Sequence, residues 1–220
     1  MRQIFVGLIT EGSTDNRFLE SVAKRSFEEI GFDCNGDVEI FVKPLSISKS
    51  NLGFVDYVRN ASKHGVDEFG ISALCVHTDA DDIDDTNAYK YKIFPAKELL
   101  KDLDNFEYCT LLIPLVPVRM IEAWMLADKE LLKKEIGTTK SDVELGINRF
   151  PEQIRDPKAI IENAIRISME HLPRRRRSLN IGELYQPLGQ KISLEELDKL
   201  DSYKKFKEEI RQTYRDLNYM

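Results

Sequence analysis

The chain predicts an α/β fold of the Rossmann-like kind: a largely parallel four-stranded sheet with helices on both faces, followed by a helical C-terminal extension. Three observations carry that expectation. Short apolar runs at Gln3–Ile9, Val38–Val42, Ile71–Thr78 and Tyr108–Pro117 have the length and β-branched content of strands. The stretches between them place apolar residues at helical spacing, so residues 1–117 alternate strand and helix. Beyond residue 117 only helical patterning is found, which sets an α/β domain at 1–128 and an extension at 129–220.

The first strand empties into Thr10-Glu11-Gly12-Ser13-Thr14-Asp15, where Gly12 turns the backbone and Ser13 or Thr14 can cap a helix over 13–30. Phe18, Leu19, Val22, Phe27 and Ile30 form that helix's apolar stripe, and Gly31 ends it. Pro44 stops the second strand, and a helix from Phe54 is expected to close at His64-Gly65. The third strand runs into Asp79-Ala80-Asp81-Asp82-Ile83-Asp84-Asp85, with Asp85 capping a helix from Thr86 to Leu103. Pro114 marks the fourth strand as bent or at an edge. An apolar helix over Val118–Asp128 follows and carries the carboxylate Glu122 within its apolar run, whose partner is expected to be Arg119, another cation or a metal. Further helices are expected from Lys129 to Ile136, from Pro157 to His171, from a capping-box-like start at Ser193-Leu194-Glu195-Glu196, and from Ser202 to Leu217.

Composition narrows the class. A chain of 220 residues can bury a sizeable core, and its ordinary hydrophobic fraction of 42% argues against a disordered or membrane protein. No apolar run approaches the roughly 20 residues of a membrane span. Cys34, Cys75 and Cys109 are odd in number and lack metal-ligand spacing, so they read as reduced thiols of a cytoplasmic protein. The strand starts at once without an apolar leader, which agrees with that location. The net charge of −6 conceals an acidic body and a basic tail: residues 172–220 hold 11 Lys/Arg against 8 Asp/Glu. Nucleic acid would therefore be bound locally rather than by overall charge. Arg174, Arg175, Arg176 and Arg177 read either as a solvated linker or as phosphate-binding guanidinium groups.

Glu11 and Asp79 each follow an apolar strand, at the sheet edge where open α/β proteins bind ligands. Alone, the five acids of 79–85 read as a solvated loop; placed at a strand end beside Glu11 and Asp15 they read as hard oxygen ligands for Mg²⁺ or Mn²⁺. Such ions neutralise a phosphodiester and lower the pKa of bound water. An EF-hand does not fit, because Ile83 occupies a ligand position and the required Gly is absent. A phosphohydrolase using Asp79 as nucleophile and Asp81 as acid leaves Glu11 unexplained. Cys75 and His77 alternate on one strand face, which suits a core pair better than a nucleophile and base. No Walker-type phosphate loop is present.

The set Thr10-Glu11-Gly12-Ser13-Thr14-Asp15 with Asp79-Ala80-Asp81 after an apolar strand resembles the Toprim domain of topoisomerases, primases and overcoming-lysogenisation-defect (OLD) nucleases. Residues 117–128, Asp156-Pro157-Lys158 and Leu184-Tyr185-Gln186 are similar to a bacterial Toprim-like family that often accompanies ATPase genes in phage-defence loci. The resemblance implies a Mg²⁺- or Mn²⁺-dependent nuclease acting on DNA or RNA, with an ATPase partner and with homo-oligomer formation left open. It implies catalytic roles for Glu11, Asp79 and Asp81, with Asp15 and Glu122 as further metal ligands. A basic residue would oppose transition-state charge. Pro187 stands where the family would supply a Lys, so Arg119 or Lys191 takes that place. A Toprim-like interaction module that binds an ATPase without catalysis is the alternative.

Overall fold

The computed structural model describes residues 2–48, 52–173 and 178–220; Arg174–Arg177 lie outside them. Four parallel strands, β1 (Arg2–Ile9), β2 (Val38–Pro44), β3 (Ala73–His77) and β4 (Leu112–Leu115), lie in the order β2-β1-β3-β4. β1 and β3 are therefore central, and the turns that leave them emerge side by side, because Ile9 pairs with Val76. Pro114 sits in β4 at the sheet edge, where its missing N–H costs no ladder bond on the open side.

Alternation along the strands sends two sets of side chains to two cores. Ile4, Val6, Leu8, Cys75, Ile113 and Leu115 join the cluster under α1 (Ser13–Gly31) and the C-terminal helices. Ile9, Leu74, Val76 and Leu112 join the other, under α2 (Phe54–Phe69) and α4 (Phe94–Lys101). Between β3 and α4 the chain forms α3 (Thr86–Ala88) and a π-helical turn, Tyr89–Ile93.

After β4 the chain forms α5 (Glu122–Met125), α6 (Lys129–Glu135), α7 (Asp142–Leu145), α8 (Pro157–Ser168), α9 (Tyr185–Lys191), α10 (Leu194–Leu197) and α11 (Asp201–Asp216). This extension shares the core of the sheet. Trp124 meets Tyr203 edge-on at 5.2 Å, and Tyr214 donates to the Phe27 carbonyl at 2.9 Å. Gly189 lets α9 lie against α1, since a Cβ there would stand 2.5 Å from the Phe18 carbonyl oxygen. Arg25 then closes α9 by donating to the carbonyls of Gly189 and Ile192 at 2.8 and 2.7 Å.

Several local expectations change. α2 passes Gly65 and ends at Gly70 with φ 58°. Gly65 has a packing role instead, because a Cβ there would collide with Ile71. The fourth strand contracts to Leu112–Leu115, and the helix expected over 118–128 begins only at Glu122. The reason is a loop pairing: Ala80 donates to Pro117, Asp81 to Arg119, and Arg119 to Asp82, at 3.0, 2.8 and 3.2 Å. Those bonds hold 117–119 out of helical conformation beside the acidic turn. Ser193 takes the N-cap position of α10 without a side-chain capping bond, and its N–H donates to Asp128 at 3.3 Å. No helix among the described residues is long and apolar enough to cross a membrane.

Candidate functional site

The carboxyl edge of β1 and β3 gathers the predicted acids. Gly12, not Ser13 or Thr14, is the N-cap of α1, with φ −117°, which any residue can adopt. Asp15 reaches back from the first turn and its Oδ2 accepts the Gly12 N–H at 2.7 Å. A Cβ at Gly12 would approach that oxygen to 3.0 Å, so a larger residue there would press on the Asp15 carboxylate. One oxygen of Asp15 is thus engaged in holding the turn that presents Glu11.

Glu11 Oε1 accepts from the Thr78 hydroxyl and from Lys92 Nζ, the latter at 3.1 Å; Lys92 Nζ also donates to Thr78 Oγ1 at 2.6 Å. Burial opposes ionisation of Glu11, but the Thr78 and Lys92 hydrogen bonds and the Lys92 charge outweigh it and bring its carboxyl below the ordinary value. Lys92 lies in the π-helical turn, a distortion often found at functional sites.

Asp79 Oδ1 accepts the Ile121 N–H at 2.9 Å and faces His77 Nε2 at 3.2 Å. The side chain of His77 has no exposed surface, and its Nδ1 lies 3.4 Å from the Glu11 N–H and 3.7 Å from Asp15 Oδ2. Asp81 is exposed and has φ 55°; Arg119, paired with it through the backbone, has φ 65°. Two non-glycine residues in the left-handed region at one junction indicate local strain held by the surrounding bonds. Although Asp81 is exposed as a residue, partial desolvation of its carboxyl, then the charges of Asp79 and Glu11, raise that carboxyl, while Lys92 opposes this.

Glu122 is buried and accepts the Tyr185 hydroxyl at 2.5 Å. Its expected cationic partner is replaced by a phenol delivered from the C-terminal extension. Burial raises its carboxyl, the Tyr185 bond lowers it, and Asp79 raises it further, so Glu122 shares the field of the cluster. Burial and the Glu122 contact push the Tyr185 hydroxyl above its ordinary range.

The structure therefore brings Glu11, Asp15, Asp79, Asp81 and Glu122 into one electrostatic neighbourhood, but among the described residues no group of three or more His, Cys, Asp or Glu side chains is arranged to hold a metal ion. The rest of the acidic turn has other partners. Asp85 occupies the N-cap position of α3 without a side-chain cap and pairs with Lys205 at 2.5 Å, while Asp84 accepts the Thr86 N–H at 2.9 Å. Lys191 pairs with Glu135 at 2.8 Å. The Arg119 Nε is buried without a hydrogen-bond partner. Cys75 is fully buried in the apolar cluster and burial pushes its thiol far up, which removes the Cys–His nucleophile reading. A cavity of about 280 Å³ beside Glu11 is lined by Leu52, Phe54, Tyr57 and His77, whereas a larger cavity, about 890 Å³, lies between Tyr89, Phe94 and α11.

Lys92 and Thr78 were not read as site residues, and His77 was read as a core neighbour of Cys75. Thr78 and His77 immediately precede Asp79 and carried a positional hint, but nothing in sequence links Lys92 to Glu11, 81 positions away. Fold and site together define a class: an all-parallel α/β protein with an acidic, lysine-tethered crevice at the carboxyl edge of its central strands. Comparisons with protein-family models, with curated proteins and with solved structures returned no match.

Proposed function

We propose that this chain is a Toprim-like, divalent-metal-dependent phosphodiester hydrolase that cuts DNA or RNA and works with an ATPase partner in phage defence. The observation that carries the reading is the convergence of Glu11, Asp79 and Asp81 at two adjacent strand ends, where Ile9 pairs with Val76; desolvation first, and then the charges of Asp79 and Glu11, raise the Asp81 carboxyl. Mutual repulsion of that kind is relieved by a cation, and an all-carboxylate donor set suits Mg²⁺ or Mn²⁺. Glu11, Asp79 and Asp81 would hold the ion, with Asp15 and Glu122 beside them. When bound, the ion supplies charge neutralisation and an acidified water.

The chain's own residues do the rest. Thr78 and Lys92 keep Glu11 ionised, as a general base or a ligand requires. Lys92 places a positive charge at the crevice to oppose charge on a phosphate, and Lys191, paired with Glu135, stays a further candidate for that role. Arg119 is the second candidate for a phosphate contact.

Incubation of the purified protein with single- and double-stranded DNA and RNA, in Mg²⁺ or Mn²⁺ and in EDTA, tests the reading. Cleavage should need the metal and fall at least about 100-fold in Glu11→Gln and Asp79→Asn. Cutting that survives both substitutions removes the site. A second reading, a non-catalytic Toprim-like module that binds an ATPase, is favoured by the Lys92 ammonium already seated on Glu11 and by the lack of a three-residue metal arrangement among the described residues. Co-purification with the ATPase and no cleavage by either protein or their complex would select it.

A further inference from the structure

We infer that His77 is a positioning residue of this crevice: held with its proton on Nε2, it ties the Glu11 backbone to the Asp79 side chain and fixes which Asp79 oxygen a ligand meets. The inference rests on the metal-dependent reading above for its consequence, but its geometry stands apart from it.

A buried imidazole must satisfy both nitrogens. His77 ends β3 with its side chain wholly enclosed, and both nitrogens are directed at site residues rather than at the core. The Glu11 N–H approaches Nδ1 at 3.4 Å, so Nδ1 is an acceptor. Asp15 Oδ2, at 3.7 Å, is beyond hydrogen-bonding range and is engaged by the Gly12 N–H. With Nδ1 accepting, the ring proton belongs on Nε2, where it is donated to Asp79 Oδ1 at 3.2 Å. The Ile121 N–H reaches the same oxygen at 2.9 Å. Two donors on Oδ1 orient the carboxylate and leave Oδ2 for a cation. One enclosed ring thus couples the turn after β1, the end of β3 and the segment after β4.

The role differs from simple packing in what replacements should do. Phe keeps the ring volume and loses both bonds. Gln can place an N–H near the Nε2 position, whereas Asn can replace only the Nδ1 acceptor. Mn²⁺ titration of the full chain, followed by electron paramagnetic resonance, should show His77→Phe and His77→Asn binding about 10- to 100-fold more weakly than wild type, the usual loss when a partner of a metal ligand is removed. His77→Gln should recover most of that affinity. Thermal midpoints of all three variants show whether the fold is kept, and only folded variants are compared. Ring ¹⁵N spectra of the metal-free wild type should place the proton on Nε2.

A proton on Nδ1, or a folded His77→Phe that binds Mn²⁺ like wild type, overturns the inference. A wild-type protein that takes up no Mn²⁺ overturns the metal reading, and with it the consequence drawn for Asp79 Oδ2, whatever the ring spectrum shows.

Discussion

Tyr185→Phe isolates one buried contact whose loss should depend on pH in a defined direction. The hydroxyl donates to Glu122 at 2.5 Å, and both residues are at most 5% exposed. Glu122 has no ion-pair partner among the described residues, and Lys158 acts on it only at a distance. A hydrogen bond to a charged group contributes about 1.5–3 kcal/mol, so a working loss is about 2 kcal/mol, or about 4–8 °C for a chain of this size. Burial raises the Glu122 carboxyl above its ordinary value of 4.5, so the folded state holds that proton more tightly than the unfolded one. Its contribution is therefore fully present below that value and is lost as pH rises through the folded pKa. Removing the hydroxyl deletes the effect that pulls the pKa down, which widens the window on its alkaline side. Urea or thermal midpoints at pH 5 and pH 8 should show the larger loss at pH 8. In a double-mutant cycle, Glu122→Gln should shrink the cost of Tyr185→Phe at pH 8. Equal losses at both pH values, or none at pH 8, would refute the argument that an ionised Glu122 depends on this phenol.

Three further outcomes follow from the same contacts. Gly189→Ala forces a methyl against the Phe18 backbone, so α9 must move off α1; a loss of about 1–3 kcal/mol or more is expected in urea midpoints, with weakened Mn²⁺ uptake because Tyr185 rides on α9. Ser202→Ala strands the Trp124 indole N–H, which now donates to Ser202 at 2.8 Å; the expected cost is about 1–3 kcal/mol, followed through the fluorescence of this sole tryptophan during unfolding. Lys92→Met removes a hydrogen bond and a charge that bring the Glu11 carboxyl below its ordinary value, so Glu11 should titrate at higher pH, seen at its carboxyl carbon by NMR. A depressed carboxylate contributes stability above the unfolded value that is lost as pH falls through the folded one, and in Lys92→Met that acid-side loss should begin at higher pH.

The strand-helix alternation was readable because each element satisfies its own hydrophobic period. Ile4, Val6 and Leu8 face one core while Ile9 faces the other, and Phe18, Leu19, Val22 and Phe27 make one buried stripe. Local chemistry also placed Glu11 and Asp79 at strand ends and Pro114 at an edge. Boundaries failed where a distant backbone competed: the helix expected from Val118 starts later because residues 117–119 pair with 80–82. A cationic partner was expected for Glu122 and a phenol 63 positions away supplies the bond.

What the sequence determined by itself is the inventory: an apolar period that demands a two-faced sheet, and acids at the strand ends that such a sheet presents together. What only the tertiary structure decided is the wiring of those acids. Lys92 seated on Glu11, His77 accepting from the Glu11 backbone and Tyr185 closing on Glu122 are contacts between elements far apart in the chain. Periodicity reports which face of an element is buried; it carries no information about which side chain of another element arrives there, because that is fixed by how the packed helices cross the sheet.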